Sequence, residues 1–335
     1  MKRLEFQESL QAIKKAENIL ITTHRSPDGD AVGSSLGMLG FVEKLGKKAR
    51  VVVPDAFPEF LNWIPGTENI TCYDTNKELV TQWVSESDLI MSLDYNTMSR
   101  VGNEFGEILK NAGKDMIIVD HHREPDEHFT HYIHDIESCS TAQLVFDFID
   151  LTGNLDLMSL EMGEALYTGI LTDTGSFRFP STSARTHEIV GLLMNKGLEI
   201  SKVYNAIYDT NSFDRLQLLG YTLSQKMRHF PELNMAYIVL SYEEMQRFNF
   251  KSGDTEGFVN YALSIKGVNF SCLMKEAEDG KVKMSFRSKG DFDVNTFARA
   301  NFNGGGHLNA AGGISFDSLE ATEEKFLIKA KEVIG

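Results

Sequence analysis

Between Ile21 and Ser34 the chain reads Ile-Thr-Thr-His-Arg-Ser-Pro-Asp-Gly-Asp-Ala-Val-Gly-Ser, which gathers His24, Asp28 and Asp30 on one short loop after an apolar run. One imidazole and two carboxylates in this arrangement suit a hard or borderline divalent cation. The same residues also read as an Asp-Gly turn, with Asp30 capping a helix that starts near Ala31. Three further places carry ligand chemistry. Asp94 ends the apolar run Asp88-Leu-Ile-Met-Ser-Leu93, Asp120-His121-His122 ends Met116-Ile-Ile-Val119, and Asp173 lies just beyond the helical face Met162, Ala165, Leu166, Gly169 and Ile170.

The elements that must position these groups follow from periodicity. Asn18-Ile-Leu-Ile-Thr22 and the runs before Asp94 and Asp120 read as buried parallel strands, and Ala31 to Leu45 as the helix after the first of them. In a parallel sheet all carboxyl ends lie on one edge, so neighbouring strands would bring His24, Asp28, Asp30, Asp94, Asp120, His121 and His122 into one crevice. Carboxylates packed that closely repel one another, and a pair of divalent cations is the usual counter-charge. Residues 1–200 thus predict an α/β domain with a mostly parallel sheet. Residues 201–230 read as a helical connector, and 231–335, with strands at Met235–Leu240, Val268–Met274 and Lys281–Arg287, as a smaller mixed α/β domain.

The order His24-x3-Asp28-x-Asp30, Asp94, Asp120-His121-His122, Asp173 closely resembles the signature of the DHH phosphoesterase superfamily. Gly304-Gly305-Gly306-His307 with Ala310-Ala311-Gly312-Gly313, preceded by Arg287 and Ser288, resembles the DHH-associated domain. Both domains together are most similar to the nanoRNase A type, whose members degrade short RNA and in many cases hydrolyse 3'-phosphoadenosine 5'-phosphate (pAp). The resemblance implies two metals, one on His24, Asp28 and Asp94 and one on Asp30, Asp94, His121 and Asp173, with Asp94 shared. Without thiolates the set suits Mn²⁺, with Mg²⁺ or Co²⁺ as substitutes, and two ions about 3.5–4 Å apart support in-line phosphoryl displacement.

Asp120 would orient a histidine, and His122 would donate to a phosphate oxygen or protonate the leaving group, or else be a satisfied core histidine. In the second domain Arg287, Ser288, Gly305, Gly306 and His307 would hold the far end of a short substrate across an interdomain cleft. Seen without the resemblance, the glycine run is a flexible turn. Arg178, between Phe177 and Phe179, reads equally as a phosphate contact or a surface cation. His128, His131 and His134 fall in a polar loop and are expected to have no metal role.

A net charge of −15 argues against tight non-specific adhesion to long duplexes. Cys72, Cys139 and Cys272 form no zinc or disulfide pattern, and no window approaches a membrane span, so the expected setting is the cytoplasm with no membrane attachment. The expected partners are short single-stranded RNA and nucleotides. No stable protein partner is implied, and a homodimer is compatible. Two alternatives stay open: a phosphodiesterase of linear or cyclic dinucleotides such as cyclic di-AMP, and a non-catalytic nucleotide sensor. A RecJ-like exonuclease would need an oligonucleotide-binding domain for which this chain has no room, and the Gly-Gly-Gly-His pattern disfavours a pyrophosphatase.

Overall fold

Isoleucines and valines that alternate between two apolar surfaces build the first sheet of the computed structural model, which describes residues 2–334. Its strands are β1 (Asn18–Thr22), β2 (Lys48–Val53), β3 (Thr71–Cys72), β4 (Leu89–Leu93), β5 (Asp115–Asp120) and β6 (His131–His134), and the spatial order is β3-β2-β1-β4-β5-β6. All five pairings are parallel. On one face Ile19, Ile21, Met91, Leu93, Ile117 and Val119 share a core with α1 (Lys2–Lys15), α2 (Gly29–Lys44), α5 (Thr141–Leu151) and α6 (Leu160–Asp173). On the other, Leu20, Ile90 and Ile118 pack with α3 (Lys77–Glu86) and α4 (Asn103–Lys110). A sheet covered on both faces explains why its strands read as continuous apolar runs. The unit is completed by α7 (Ala184–Asn195) and α8 (Ile200–Tyr208) and extends to Thr210.

The second unit begins at Asn211. It contains α9 (Phe213–Tyr221), β7 (Met227–Phe230), β8 (Met235–Leu240), α10 (Tyr242–Gln246), α11 (Phe258–Leu263), β9 (Phe270–Glu276), β10 (Val282–Ser288), α12 (Val294–Asn301), β11 (Gly305–Gly306), β12 (Ala310–Ser315) and α13 (Leu319–Ile334). Its mixed sheet has the order β11-β12-β10-β9-β8-β7. Phe270, Phe286, Phe297, Phe302 and Phe326 form the aromatic centre of its core.

Three local expectations change. Asp28, not Asp30, caps α2: its extended backbone lets Oδ1 accept from the Asp30 and Ala31 amides, both at 3.0 Å, which frees the Asp30 side chain. The polar loop expected around His131 and His134 is β6, which an outer strand position makes compatible with polar side chains. Within the stretch read as a helical connector, Met227-Arg-His-Phe230 pairs antiparallel with β8 as an edge strand, where one exposed side leaves a weak apolar signal.

Candidate metal centre

Strand order reverses between β1 and β4, since β2 lies on one side of β1 and β4 on the other. Connections leave such neighbours in opposite directions and open a crevice at their carboxyl ends. His24 follows β1 there, Asp94 follows β4, and Asp120 ends the adjoining β5 with His121 and His122 next. Asp94 adopts a left-handed backbone, φ 62°, while its amide donates to Val119 O at 3.0 Å and extends the β4–β5 ladder by one bond. Aspartate is among the few residues that tolerate this conformation. The turn lets the chain leave the sheet as soon as the carboxylate has been placed.

Asp30 and Asp173 come from two helices in unusually close contact. A Cβ on Gly33 of α2 would lie 2.3 Å from Ala165 O of α6, and one on Gly37 2.3 Å from Leu166 Cδ2. At Gly33, where the neighbour is backbone, only glycine permits that approach. It brings Asp30 to the first turn of α5, where Oδ2 accepts from Thr141 N at 2.7 Å and Oδ1 from Ala142 N at 2.8 Å. Asp173 is the last residue of α6, at the end of the helix dipole that disfavours a carboxylate.

Two sets of ligand atoms, His24 with Asp28 and Asp94 and Asp30 with Asp94 and His121, each lie within 4.8 Å of one another and share Asp94. His24 Nε2 stands 3.2 Å from Asp94 Oδ2 and 3.9 Å from Asp28 Oδ1. His121 Nε2 stands 3.5 Å from Asp173 Oδ2, 3.6 Å from Asp94 Oδ1 and 3.9 Å from Asp30 Oδ2. In both histidines Nδ1 meets a carbonyl, Arg25 O at 2.9 Å and Ser138 O at 3.1 Å. A carbonyl only accepts, so Nδ1 carries a proton, and Nε2 is left facing carboxylate oxygens. That arrangement needs a positive charge between the two.

The electrostatics of the cluster agree. Burial first, then the facing Asp94, Asp173 and Asp28 carboxylates, pushes Asp30 well above the usual carboxylate range. Burial also opposes the charge on Asp94, yet the hydrogen bond to His24 and the charges of His24, His122 and His121 hold its pKa below the ordinary value. Burial lowers the pKa of His24 and His121, but Asp94 on the first and Asp173 and Asp94 on the second leave both raised. The cluster balances by taking up protons, and divalent cations would supply the same positive charge. The donor set therefore fits such ions.

His122 has a different environment. Its Nδ1 lies 2.7 Å from Asp120 Oδ1, so Asp120 orients His122, and burial holds the imidazole pKa below its usual value despite that carboxylate. Asp120 Oδ2 is buried without a hydrogen-bond partner among the described residues. His134 Nε2 bonds His122 O at 2.7 Å, a backbone brace. Sequence reasoning passed over Thr141, whose Oγ1 donates to Asp94 Oδ1 at 3.0 Å. It also missed Arg100, whose carbonyl accepts the Arg25 amide at 2.7 Å and whose charge disfavours protonated His24 and His122.

Of the remaining expected residues, Arg178 is exposed, with Nε donating to Gly175 O at 2.8 Å. Ser288 is buried, donates to Phe292 O at 2.6 Å and accepts from Asn309 at 2.9 Å, so its hydroxyl braces the end of β10. The Gly306 amide donates to Asn295 Oδ1 at 2.9 Å, while Gly305 is half-buried beside it in β11. A Cβ on Gly304 would lie 2.0 Å from Gly312 O and one on Gly306 2.4 Å from Ala310 O, so both glycines are required by close strand packing. Arg287 ends the β10–β12 pairing opposite Ala310, and the His307 amide donates to Ala310 O at 2.7 Å.

Residues 18–170 match the DHH family, N-terminal domain, and residues 234–335 match the DHHA1 domain. The bifunctional oligoribonuclease and PAP phosphatase NrnA of Thermus thermophilus is 32% identical over 94% of this chain and 92% of that protein. The cyclic-di-AMP phosphodiesterase PdeA of Listeria monocytogenes is 26% identical over 96% of this chain, which spans 48% of PdeA. Among solved structures, an exopolyphosphatase-related protein of Bacteroides fragilis superposes with a TM-score of 0.93 at 39% identity, covering 98% of this chain and 96% of that one. No helix among the described residues is long and apolar enough to cross a membrane.

Proposed function

Because the chain belongs to the DHH family, with a DHHA1 domain after the DHH domain, we propose that it is a metal-dependent phosphoesterase that hydrolyses short single-stranded RNA and pAp. The observation that carries this reading is Asp94, which turns one oxygen toward His24 and the other toward His121. His24, Asp28 and Asp94 would hold one divalent ion, and Asp30, Asp94, His121 and Asp173 a second, with Mn²⁺ the best match to the donor set. Ions held there supply Lewis-acid polarisation of phosphoryl oxygens.

The chain's own groups do the rest. Asp30 and Asp94 keep their orientation through the α5 amides and the Thr141 hydroxyl. His122, its ring oriented by the Nδ1 contact to Asp120, keeps Nε2 for proton exchange with the phosphate oxygen or the leaving group, the role expected from sequence. Arg287 and His307 hold the far phosphate or base of the substrate. The activity is assigned to the cytoplasm, and its partners are the nucleotides themselves.

The deciding experiment measures phosphate release from pAp and cleavage of short labelled RNA after chelation, with Mn²⁺, Mg²⁺ or Zn²⁺ returned separately. Loss of both activities on chelation and recovery best with Mn²⁺ are expected. Activity that survives exhaustive chelation would overturn the metal mechanism. Cyclic di-AMP, run in parallel because of the likeness to PdeA, would displace the preferred substrates if it were cleaved faster than both. Tight pAp binding without turnover would identify a sensor.

A further inference from the structure

The first turn of α5 does more than start a helix. Its N-terminal amides need acceptors, and Ser140 Oγ serves Gln143 N at 3.0 Å, which leaves the Thr141 and Ala142 amides for Asp30. Thr141 is fully buried, so its hydroxyl also needs a partner. That partner is Asp94 Oδ1 at 3.0 Å. One residue thus bonds two carboxylates that come from different elements, 111 positions away in sequence for Asp30 and 47 for Asp94.

The choice of oxygen gives the contact its meaning. Asp94 Oδ1 is the oxygen that faces His121 at 3.6 Å, while Oδ2 faces His24 at 3.2 Å. The terminal torsion of aspartate is broad, and burial alone does not fix it. A hydroxyl on a β-branched side chain at a helix start is stiff enough to do so. With Oδ1 held, one oxygen is directed to each ligand set; with it released, the carboxylate can turn about its last bond.

We propose that Thr141 is a positioning residue for the metal centre, whose amide and hydroxyl fix Asp30 and Asp94 relative to each other in the arrangement that binds the divalent ions. This rests on the metal reading above. Thr141 acts through the carboxylates it bonds. Its effect is on the occupancy of the site, through Asp94.

The test uses Thr141→Val, which keeps the amide and the shape but removes the hydroxyl, and Thr141→Ser, which keeps the hydroxyl. Mn²⁺ uptake by the full chain is followed calorimetrically and by the electron paramagnetic resonance of free Mn²⁺, with circular dichroism as the folding check. The Val variant should need about 10- to 100-fold more Mn²⁺ for half-loading, the range seen when outer partners of metal ligands are removed. The Ser variant should load like the parent protein. At saturating Mn²⁺ the KM for pAp should be unchanged in both. Val loading equal to the parent's would overturn the proposal, and so would a Ser variant as weak as Val, which would assign the effect to the methyl group. If Val does not fold, Thr141→Ala compared with Thr141→Ser decides on the same criteria. A parent protein that takes up no Mn²⁺ would overturn the metal reading, and this inference with it.

Discussion

His24 Nε2 lies 3.2 Å from Asp94 Oδ2 at the point where the strand order of the first sheet reverses. The other Asp94 oxygen faces His121, so one side chain serves both ligand sets. Asp94→Asn keeps the shape and removes the charge. Both sets should lose affinity, and turnover on pAp should fall by more than the roughly 100-fold typical of outer partners. Elemental analysis of the folded variant checks this; double occupancy with near-normal turnover would refute a shared role.

Gly33→Ala should destabilise the first unit. The new Cβ would stand 2.3 Å from Ala165 O and 3.0 Å from Gly169 N, both backbone atoms that cannot step aside. Forcing α2 and α6 apart should cost about 1–3 kcal/mol, as overpacking does. At Gly169 the added Cβ would also sit 2.6 Å from Asp30 Oδ1. Gly169→Ala is therefore expected to lower Mn²⁺ affinity as well as the melting temperature. Melts with and without Mn²⁺ separate the two effects.

Acid stability of the second unit should depend on Glu244. Burial raises its pKa, but Lys226, the Ser241 amide and the Tyr221 hydroxyl outweigh that and bring it to about 2, against an ordinary 4.5. A depressed carboxylate contributes stability that is fully present above the unfolded value and is lost as pH falls through the folded one. Near neutral pH, Glu244→Gln should cost about 1.5–3 kcal/mol. The deficit should shrink between about 4.5 and 2. Denaturant midpoints across that range measure it, and a gap that stays constant with pH would exclude the charge as its origin.

Arg287→Ala and His307→Ala should each weaken pAp and short RNA about 10- to 100-fold, the loss of one charge-assisted contact. Bis-p-nitrophenyl phosphate, which has no far end to hold, should be cleaved as before. An equal fall on both substrates would reassign these residues to folding or chemistry. No change on pAp or RNA would remove them from binding.

The strands that position the centre were legible because β1, β4 and β5 are buried on both faces, so Asp94 and Asp120 mark the ends of otherwise apolar runs. Asp173 was legible only as a residue after an apolar helical face; that it meets His121 at 3.5 Å is a long-range fact. Local signals misassigned the α2 cap because Asp28 and Asp30 are chemically equivalent candidates two residues apart, and the choice was decided by α5 drawing Asp30 away. Thr141 had a weaker signal. Ser140 before an apolar run marks a helix start, but nothing in the run says what that start will face.

Bare helix faces also govern the dimensions of the centre. Asp30 and Asp173 hang from two rods whose separation is set where glycine backbone meets backbone, and atoms in that state have no slack to give up. At Gly33 the pair behaves as a fixed gauge, because the atoms it meets are backbone and, unlike the Leu166 side chain at Gly37, cannot step aside. Adaptation to an ion of different radius would then have to proceed through the loops after β1 and β4, where His24 and Asp94 sit on turns, and lineages that retune metal preference should record their substitutions there rather than along α2 or α6.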